Sequence, residues 1–412
     1  MDIPLALEGL STAEIEIVCE VFRSGNLTLG KCVDKFESEF ANKFGVKHAV
    51  MVNSGSSANL IALEAFLSTL SKHQFMDRSM YSIAVPAVLW PTSLWPIIQL
   101  GFKVLLIDTL PNSLEIDLDK LVAAKREMGD QLIGAVLIHP LGKSLDLTKI
   151  HSIREEFGLF ILEDNCESIG SGDNNRYAGT VGDFGTFSFY YSHHITTVEG
   201  GMVITDDDQH ADNLRSMRAH GWTRNRRDRD VIEAQFPELP KDFLFLTSGY
   251  NVRPMEFQGA LGSSQLKQLD SFIEKRIDNA RRVHEAIRDT NFVLIAAESD
   301  SVEIDDSFRG KSMPRVHSWM ALPIHCSLGK DASRRAQSIL ASRGISTRPL
   351  LAGDFSSQPA GQHPMIETYE QLNNSKALYE TSFMVGNHHN YSDGQMNFLA
   401  NTLNEVSESI EV

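Results

Sequence analysis

Cysteine is scarce in this chain: four in 412 residues, at positions 19, 32, 166 and 326. No pair stands at C-x-x-C spacing and no histidine set flanks them, so neither a metal site nor an iron–sulfur cluster is written locally. Buried thiols are the expectation. Long apolar runs are missing as well. Stretches such as Ile133 to Ile138 are strand-sized and fall far short of the roughly 20 residues that a membrane span needs. Met1-Asp2-Ile3-Pro4 lacks the basic and then apolar segments of a secretory signal, so no membrane partner and a cytoplasmic location are expected. Positive charge is in deficit, with Lys+Arg 38 against Asp+Glu 54 and a net charge of −16. So acidic a surface repels a phosphate backbone, which argues against nucleic-acid binding while leaving room for anionic ligands in a locally positive pocket.

What is present is globular. Hydrophobic residues make up 42% and charged residues 22%, enough apolar surface for most of the chain to fold. Ser11-Thr12-Ala13-Glu14 reads as a capping box opening a helix that Gly25 ends, and a second helix is expected around Cys32 to Phe44. Short β-type runs then alternate with helix-length segments: Ala49 to Val52, Ser82 to Val85, Lys103 to Ile107, Ile133 to Ile138, Phe160 to Leu162, Gly185 to Phe189 and Met202 to Ile204. This alternation predicts an α/β fold with a mostly parallel sheet of seven strands, buried on both faces. Amphipathic helices follow at Gln265 to Ile287, Ala332 to Ser342 and Gly394 to Ile410. We therefore expect a large α/β domain over 1–264 and a smaller C-terminal α+β domain over 265–412. The charged segment from about Arg224 to Ser248 reads as a loop or arm with solvated charges.

Three motifs carry chemistry. Asn53-Ser54-Gly55-Ser56-Ser57-Ala58-Asn59 follows a predicted strand and feeds a helix, a turn whose free N–H groups and helix dipole suit a phosphate or simply cap the helix. Glu163-Asp164-Asn165-Cys166-Glu167 ends a buried strand where open α/β sheets place their ligands, so Asp164 suits a pyridinium nitrogen, a metal or an ion pair. The third is Gly182 to Gly201, containing Ser188-Phe189-Tyr190-Tyr191-Ser192-His193-His194-Ile195-Thr196-Thr197-Val198-Glu199-Gly200-Gly201. With Gly249 to Met255, Thr347 to Gly353 and Phe383 to His389, these motifs resemble the DegT/DnrJ/EryC1/StrS family of pyridoxal-phosphate enzymes acting on nucleotide sugars, a branch of the type I aspartate-aminotransferase fold.

What the resemblance implies turns on His193. In the family's aminotransferases that position is a lysine joined covalently to the cofactor, yet here the nearest lysines are Lys149 and Lys241. An imidazole cannot make that bond but can move protons near neutrality. Histidine there marks the family's sugar 3-dehydratases. The resemblance then implies a cofactor alternating between pyridoxal 5'-phosphate and pyridoxamine 5'-phosphate, recharged by L-glutamate, with a nucleotide-linked 4-keto-6-deoxy sugar as substrate and a GDP-sugar favoured. The scattered cysteines disfavour the iron–sulfur branch. By position, Gly55, Ser56, Ser57 and Ser188 would hold the phosphate, Asp164 the ring nitrogen and Trp90 the ring face. Glu167 would lie near the ring, and Asn251 would reach in from the partner subunit of a homodimer. His220, Arg224 and Arg348 are candidates for the substrate. A sugar aminotransferase with an unusual site and a catalytically silent relative are the alternatives. After Gly353, Asp354-Phe355-Ser356-Ser357-Gln358-Pro359 departs from the Asn and Arg common in related dehydratases.

Overall fold

The computed structural model describes residues 1–7, 10–69, 77–173, 175–295 and 316–410. Seven strands fall where apolar runs predict them: β1 (His48–Val52), β2 (Ser82–Pro86), β3 (Lys103–Ile107), β4 (Leu132–Ile138), β5 (Phe160–Asp164), β6 (Phe184–Ser188) and β7 (Gly201–Thr205). Nearly every residue in them is buried, because helices cover both faces of the sheet. The C-terminal region adds β8 (Phe292–Leu294), β9 (Ala321–Cys326), β10 (Thr347–Arg348), β11 (Ile366–Thr368) and β12 (Ser382–Gly386).

The main sheet runs β1-β7-β6-β5-β4-β2-β3-β11, and a smaller sheet runs β8-β9-β12-β10. The main sheet thus has eight strands rather than the seven expected, since β11 pairs parallel with β3 at its edge. It is parallel throughout except for β7, which runs against both β1 and β6. All three junctions of the smaller sheet are antiparallel. The chain crosses between the two sheets more than once: Ile3, near the start, bridges Ile345 and lies fully buried in the core of the smaller sheet. Among the described residues no helix is long and apolar enough to cross a membrane.

Local signals explain the helices. Ser11 and Glu14 form the predicted capping box at Thr12–Ser24, and Gly25 ends that helix in the left-handed region at φ 75°. Helix Lys31–Phe44 has no side-chain cap of its own. Instead Glu256, distant in sequence, accepts hydrogen bonds from the N–H groups of Gly30, Cys32 and Val33 at 2.7, 2.9 and 3.1 Å, so a carboxylate meets the positive end of the helix. The helix predicted from Gln265 is two helices, Glu256–Leu266 and Leu269–Ile287. At the break Gln265 and Gln268 both turn their amides to Glu14. The 224–248 arm contains a short helix, Arg229–Glu233, and its charges are paired rather than merely solvated. Arg226 forms a two-point contact with Asp228, Arg227 pairs with Asp208 and Asp212, and Arg229 with Glu233.

Glu163 anchors the centre of the sheet. Its fully buried carboxylate meets His139 Nε2 at 2.9 Å and accepts from the N–H groups of Gly179, Val181 and Gly182. Burial alone would raise its pKa, but these partners hold it below the ordinary carboxylate value. Stability from a lowered carboxylate is complete above the unfolded pKa of about 4.3 and is lost as pH falls through the folded value. Glu163→Gln is expected to destabilise the fold by about 3–5 kcal/mol at neutral pH, with the deficit narrowing below about pH 4, as denaturant titration at several pH values will read.

Candidate active site

The site gathers at the C-terminal ends of β1, β5 and β6, where an open α/β sheet leaves a crevice. Strand register brings the ends together, since Val52, Gly201 and Ser188 lie side by side across β1, β7 and β6, and Asp164 sits opposite Thr186. β1 delivers Asn53 and Ser54 directly into helix Gly55–Thr69. Ser54 Oγ accepts the Ser57 N–H at 3.1 Å and donates to Ser57 Oγ at 3.0 Å, forming a small-residue turn at a helix N-terminus.

The cradle is tight. A Cβ on Gly55 would lie 2.7 Å from Ser188 Cβ and 2.8 Å from Cys166 Sγ, so only glycine lets the turn, the end of β6 and the Asp164–Ser168 loop converge. Ser56 is exposed and Ser57 half-buried at its mouth, while Ser188 is buried. Gly55→Ala is expected to cost about 1–3 kcal/mol through overpacking, and to weaken retention of a phosphate-bearing cofactor. Melting curves with and without added cofactor check both effects.

Asp164 is buried and held by neutral donors alone. Its Oδ2 accepts from Asn59 Nδ2 at 2.8 Å and Ser93 Oγ at 2.7 Å, and its Oδ1 from the Cys166 N–H at 3.1 Å. Asn59 is itself oriented by Thr186, whose hydroxyl donates to Asn59 Oδ1 at 2.6 Å. Among the described residues no lysine or arginine forms an ion pair with Asp164, although a buried carboxylate ordinarily needs a cation. A flat heterocycle with a protonated ring nitrogen and a phosphate arm supplies the two missing features: a positive charge at Asp164 and an anion at the Gly55 turn. The residues present fit pyridoxal phosphate. Asn59 and Ser93 were not among the residues expected at the site.

His193 follows β6 on an irregular segment. Its Nδ1 lies 3.3 Å from the Ser188 carbonyl. A carbonyl only accepts, so Nδ1 carries the proton and Nε2 is the free basic nitrogen. Burial, with the Arg276 charge adding to it and the Ser188 bond and Asp164 opposing it, lowers the imidazole pKa to about 4. His193 is therefore a neutral base at pH 7. The Glu167 carboxyl behaves oppositely: burial, reinforced by Asp164 and opposed by the 3.0 Å bond from the Leu141 N–H, raises it to about 8. At pH 7 it is a neutral acid.

Trp90 is 57% exposed, opening the short turn that carries Ser93. Asn251 is exposed, accepts from Arg253 Nε at 3.0 Å, and adjoins the Ser54–Ser57 turn through the Asn53 N–H to Val252 carbonyl bond. A second group forms around Trp222, with the His220 ring 5.2 Å from it edge-on and the Arg224 guanidinium 4.6 Å above it. Arg348 is exposed on β10. The structure thus joins Gly55, Asp164, Ser188 and His193 into one hydrogen-bonded and packed group, and places His220 just before the arm and Arg224 at its start, on either side of Trp222.

Known proteins share this architecture. The GDP-4-keto-6-deoxy-D-mannose 3-dehydratase of Yersinia pseudotuberculosis is 38% identical over 361 residues, 86% of this chain and 86% of that protein. The solved structure of the Escherichia coli GDP-4-keto-6-deoxy-D-mannose 3-dehydratase with bound hydrated PLP is 32% identical and superposes with a TM-score of 0.84 over 99% of each chain. A structure of GDP-4-keto-6-deoxymannose 3-dehydratase with a trapped PLP–glutamate geminal diamine is 31% identical, with a TM-score of 0.84 over 98% of this chain and 100% of the other. The profile of the DegT/DnrJ/EryC1/StrS aminotransferase family matches residues 9–404, and the chain belongs to that family.

Proposed function

We propose that the chain is a pyridoxal-phosphate-dependent 3-dehydratase of deoxysugar biosynthesis, removing the C3 hydroxyl of a GDP-linked 4-keto-6-deoxyhexose with L-glutamate as amino donor. The observation that carries this reading is His193: a neutral base stands where the family's aminotransferases have lysine, and no lysine lies between Lys149 and Lys241. When bound, the cofactor in its pyridoxamine form supplies an amine for the C4 ketone and a protonated ring that accepts electrons.

The residues divide the remaining work. Gly55, Ser56, Ser57 and Ser188 bind the phosphate, Asp164 keeps the ring nitrogen protonated, and Trp90 covers the ring face. His193 Nε2 takes the proton from the carbon next to the amine and returns it to the departing C3 oxygen, so one imidazole serves as base and acid. Glu167, neutral at pH 7, offers a donor beside the ring. His220, Arg224 and Arg348 receive the carboxylate or diphosphate, for which a guanidinium has the right fork of donors. A homodimer belongs to this reading: the exposed Asn251 would reach toward the cofactor of the partner subunit, and Phe243 and Phe245 on the arm are 63% and 51% exposed, as an interface between copies would use. We take 1–264 as the bulk of the cofactor-binding domain and 265–412 as the bulk of the smaller one, with Ile3 packed into the smaller sheet's core and β11 added to the edge of the larger sheet. The enzyme works in the cytoplasm, where glutamate and nucleotide sugars are supplied.

Absorption spectroscopy tests the first half of the cycle. Protein loaded with pyridoxal phosphate should give no lysine adduct on borohydride treatment, and glutamate should convert the bound cofactor to its pyridoxamine form with release of 2-oxoglutarate. A borohydride-trapped lysine would contradict the reading.

A further inference from the structure

The residue after the reacting imidazole is a second histidine to which the proposed cycle gives no part. His194 is fully buried, as is Ser318. Its Nε2 lies 2.9 Å from the Ser318 carbonyl, so Nε2 carries the proton and donates. An imidazole is costly to bury unless it is hydrogen-bonded, and an apolar side chain would fill the space at less cost.

The surroundings show what the bond holds. Residues 190–200 have no helix or strand, and His193 itself is held by its backbone bond to Tyr190 at 3.0 Å, an edge-on contact with the Tyr190 ring at 5.9 Å and the long 3.3 Å contact of Nδ1. The acceptor side is rigid by contrast. The Ser318 and Met320 N–H groups donate to the Gly142 and Leu141 carbonyls at 2.8 and 3.0 Å. Asn387 Nδ2 donates to the Trp319 carbonyl at 2.8 Å, and Arg276 Nη1 to the Met320 carbonyl at 3.0 Å. The same Leu141–Gly142 backbone donates to Glu167 Oε2 and Ser168 Oγ at 3.0 and 2.9 Å. The Asp164–Ser168 loop and the His193–His194 loop, which follow adjacent strands, are therefore braced on one pair of backbone strips, 141–142 and 318–320.

We infer that His194 is a positioning residue for the dehydratase reaction, fixing the loop that carries His193 by donating from Nε2 to the Ser318 carbonyl. The inference rests on the dehydratase reading. Burial and the nearby Arg276 charge hold His194 far below the ordinary imidazole range, so it stays a neutral donor and does not exchange protons with His193. Its effect is on geometry, where a misplacement of about 1 Å can cost roughly 10²-fold in rate.

The test compares His194→Gln with His194→Asn in cofactor-loaded enzyme. A glutamine amide nitrogen reaches as far as the imidazole Nε2, whereas an asparagine nitrogen reaches only as far as Nδ1. His194→Gln should keep the glutamate half-reaction within about threefold of wild type. His194→Asn should slow it roughly 10- to 100-fold, with KM for the sugar within about twofold, cofactor content unchanged, and a larger isotope effect from α-deuterated glutamate. Equal rates in the two variants, whether both normal, both slowed or both without cofactor, would overturn the inference. Failure of the wild type to react with glutamate would instead overturn the reading on which it rests.

Discussion

His193→Asn is expected to lower kcat by about 10²- to 10⁴-fold, the range for losing a positioned general acid and base, while the protein still binds pyridoxal phosphate and melts within a few degrees of wild type. The expectation follows from one ring: Nδ1 is committed to the Ser188 carbonyl, so the proton chemistry falls to Nε2 alone. His193→Lys takes the argument a step further. An amine on that segment should form a covalent bond to the cofactor that borohydride traps, and dehydration should still be lost. The wild-type pH profile belongs to the same prediction. Since burial lowers the His193 pKa to about 4, the base form is already complete at pH 6. The rate of the glutamate half-reaction should stay level from pH 7 to 6, where an unshifted imidazole of pKa about 6.5 would lose roughly threefold. A fall of that size would contradict the assignment, as would a His193→Asn enzyme within tenfold of wild type.

The second large effect is expected at Asp164. Asp164→Asn preserves shape and can still accept from Asn59 and Ser93, but it removes the carboxylate that the proposed reading sets against a protonated ring nitrogen. Loss of one preorganised electrostatic partner costs about 10²- to 10³-fold in kcat, and we expect that loss in both half-reactions with KM for the sugar little changed. Steady-state kinetics beside a melting curve separates this outcome from misfolding. Activity within threefold of wild type would mean that Asp164 serves only to brace Asn59 and Ser93.

Much of this architecture was legible in the chain because burial on both faces leaves a simple mark. The seven apolar runs from Ala49 to Ile204 became β1 to β7, with bounds moved by a residue or two. β11 left no such mark: Ile366-Glu367-Thr368 is short, partly exposed, and has the composition of a loop. Its pairing with Val104, Leu105 and Leu106 is set by the fold around it. The break at Lys267 and Gln268 was hidden for a similar reason, since Leu266 and Leu269 keep a helical rhythm across it and the partner of the flanking glutamines, Glu14, lies some 250 residues earlier in the chain.

The site divides along the same line. Gly55, Asp164, Ser188 and His193, to which the proposed reading gives the cofactor and the proton chemistry, stand in local motifs of strand, turn and helix. Asn59 and Ser93 orient the Asp164 carboxylate from 105 and 71 residues away, a relation that no local pattern records. Asn59 did end the motif that named Gly55, and its place one helical turn beyond the Ser54–Ser57 turn, facing the sheet, was a usable signal. The arm misled in the other direction. Arginines at 226, 227 and 229 read as a solvated charge run, yet each meets a carboxylate. Arg224 instead stacks on Trp222 and donates to the Asp242 carbonyl at 3.3 Å.

The central claim is that the C3 hydroxyl leaves and that nitrogen does not stay on the sugar. Mass spectrometry of the nucleotide sugar after incubation with enzyme, pyridoxal phosphate, glutamate and a GDP-linked 4-keto-6-deoxyhexose reads this directly. The account predicts a product lighter than the substrate by one oxygen atom, still a ketone at C4, with one ammonia and one 2-oxoglutarate released per turnover. A product that keeps the C3 hydroxyl and carries an amine at C4 would contradict it and identify an aminotransferase instead.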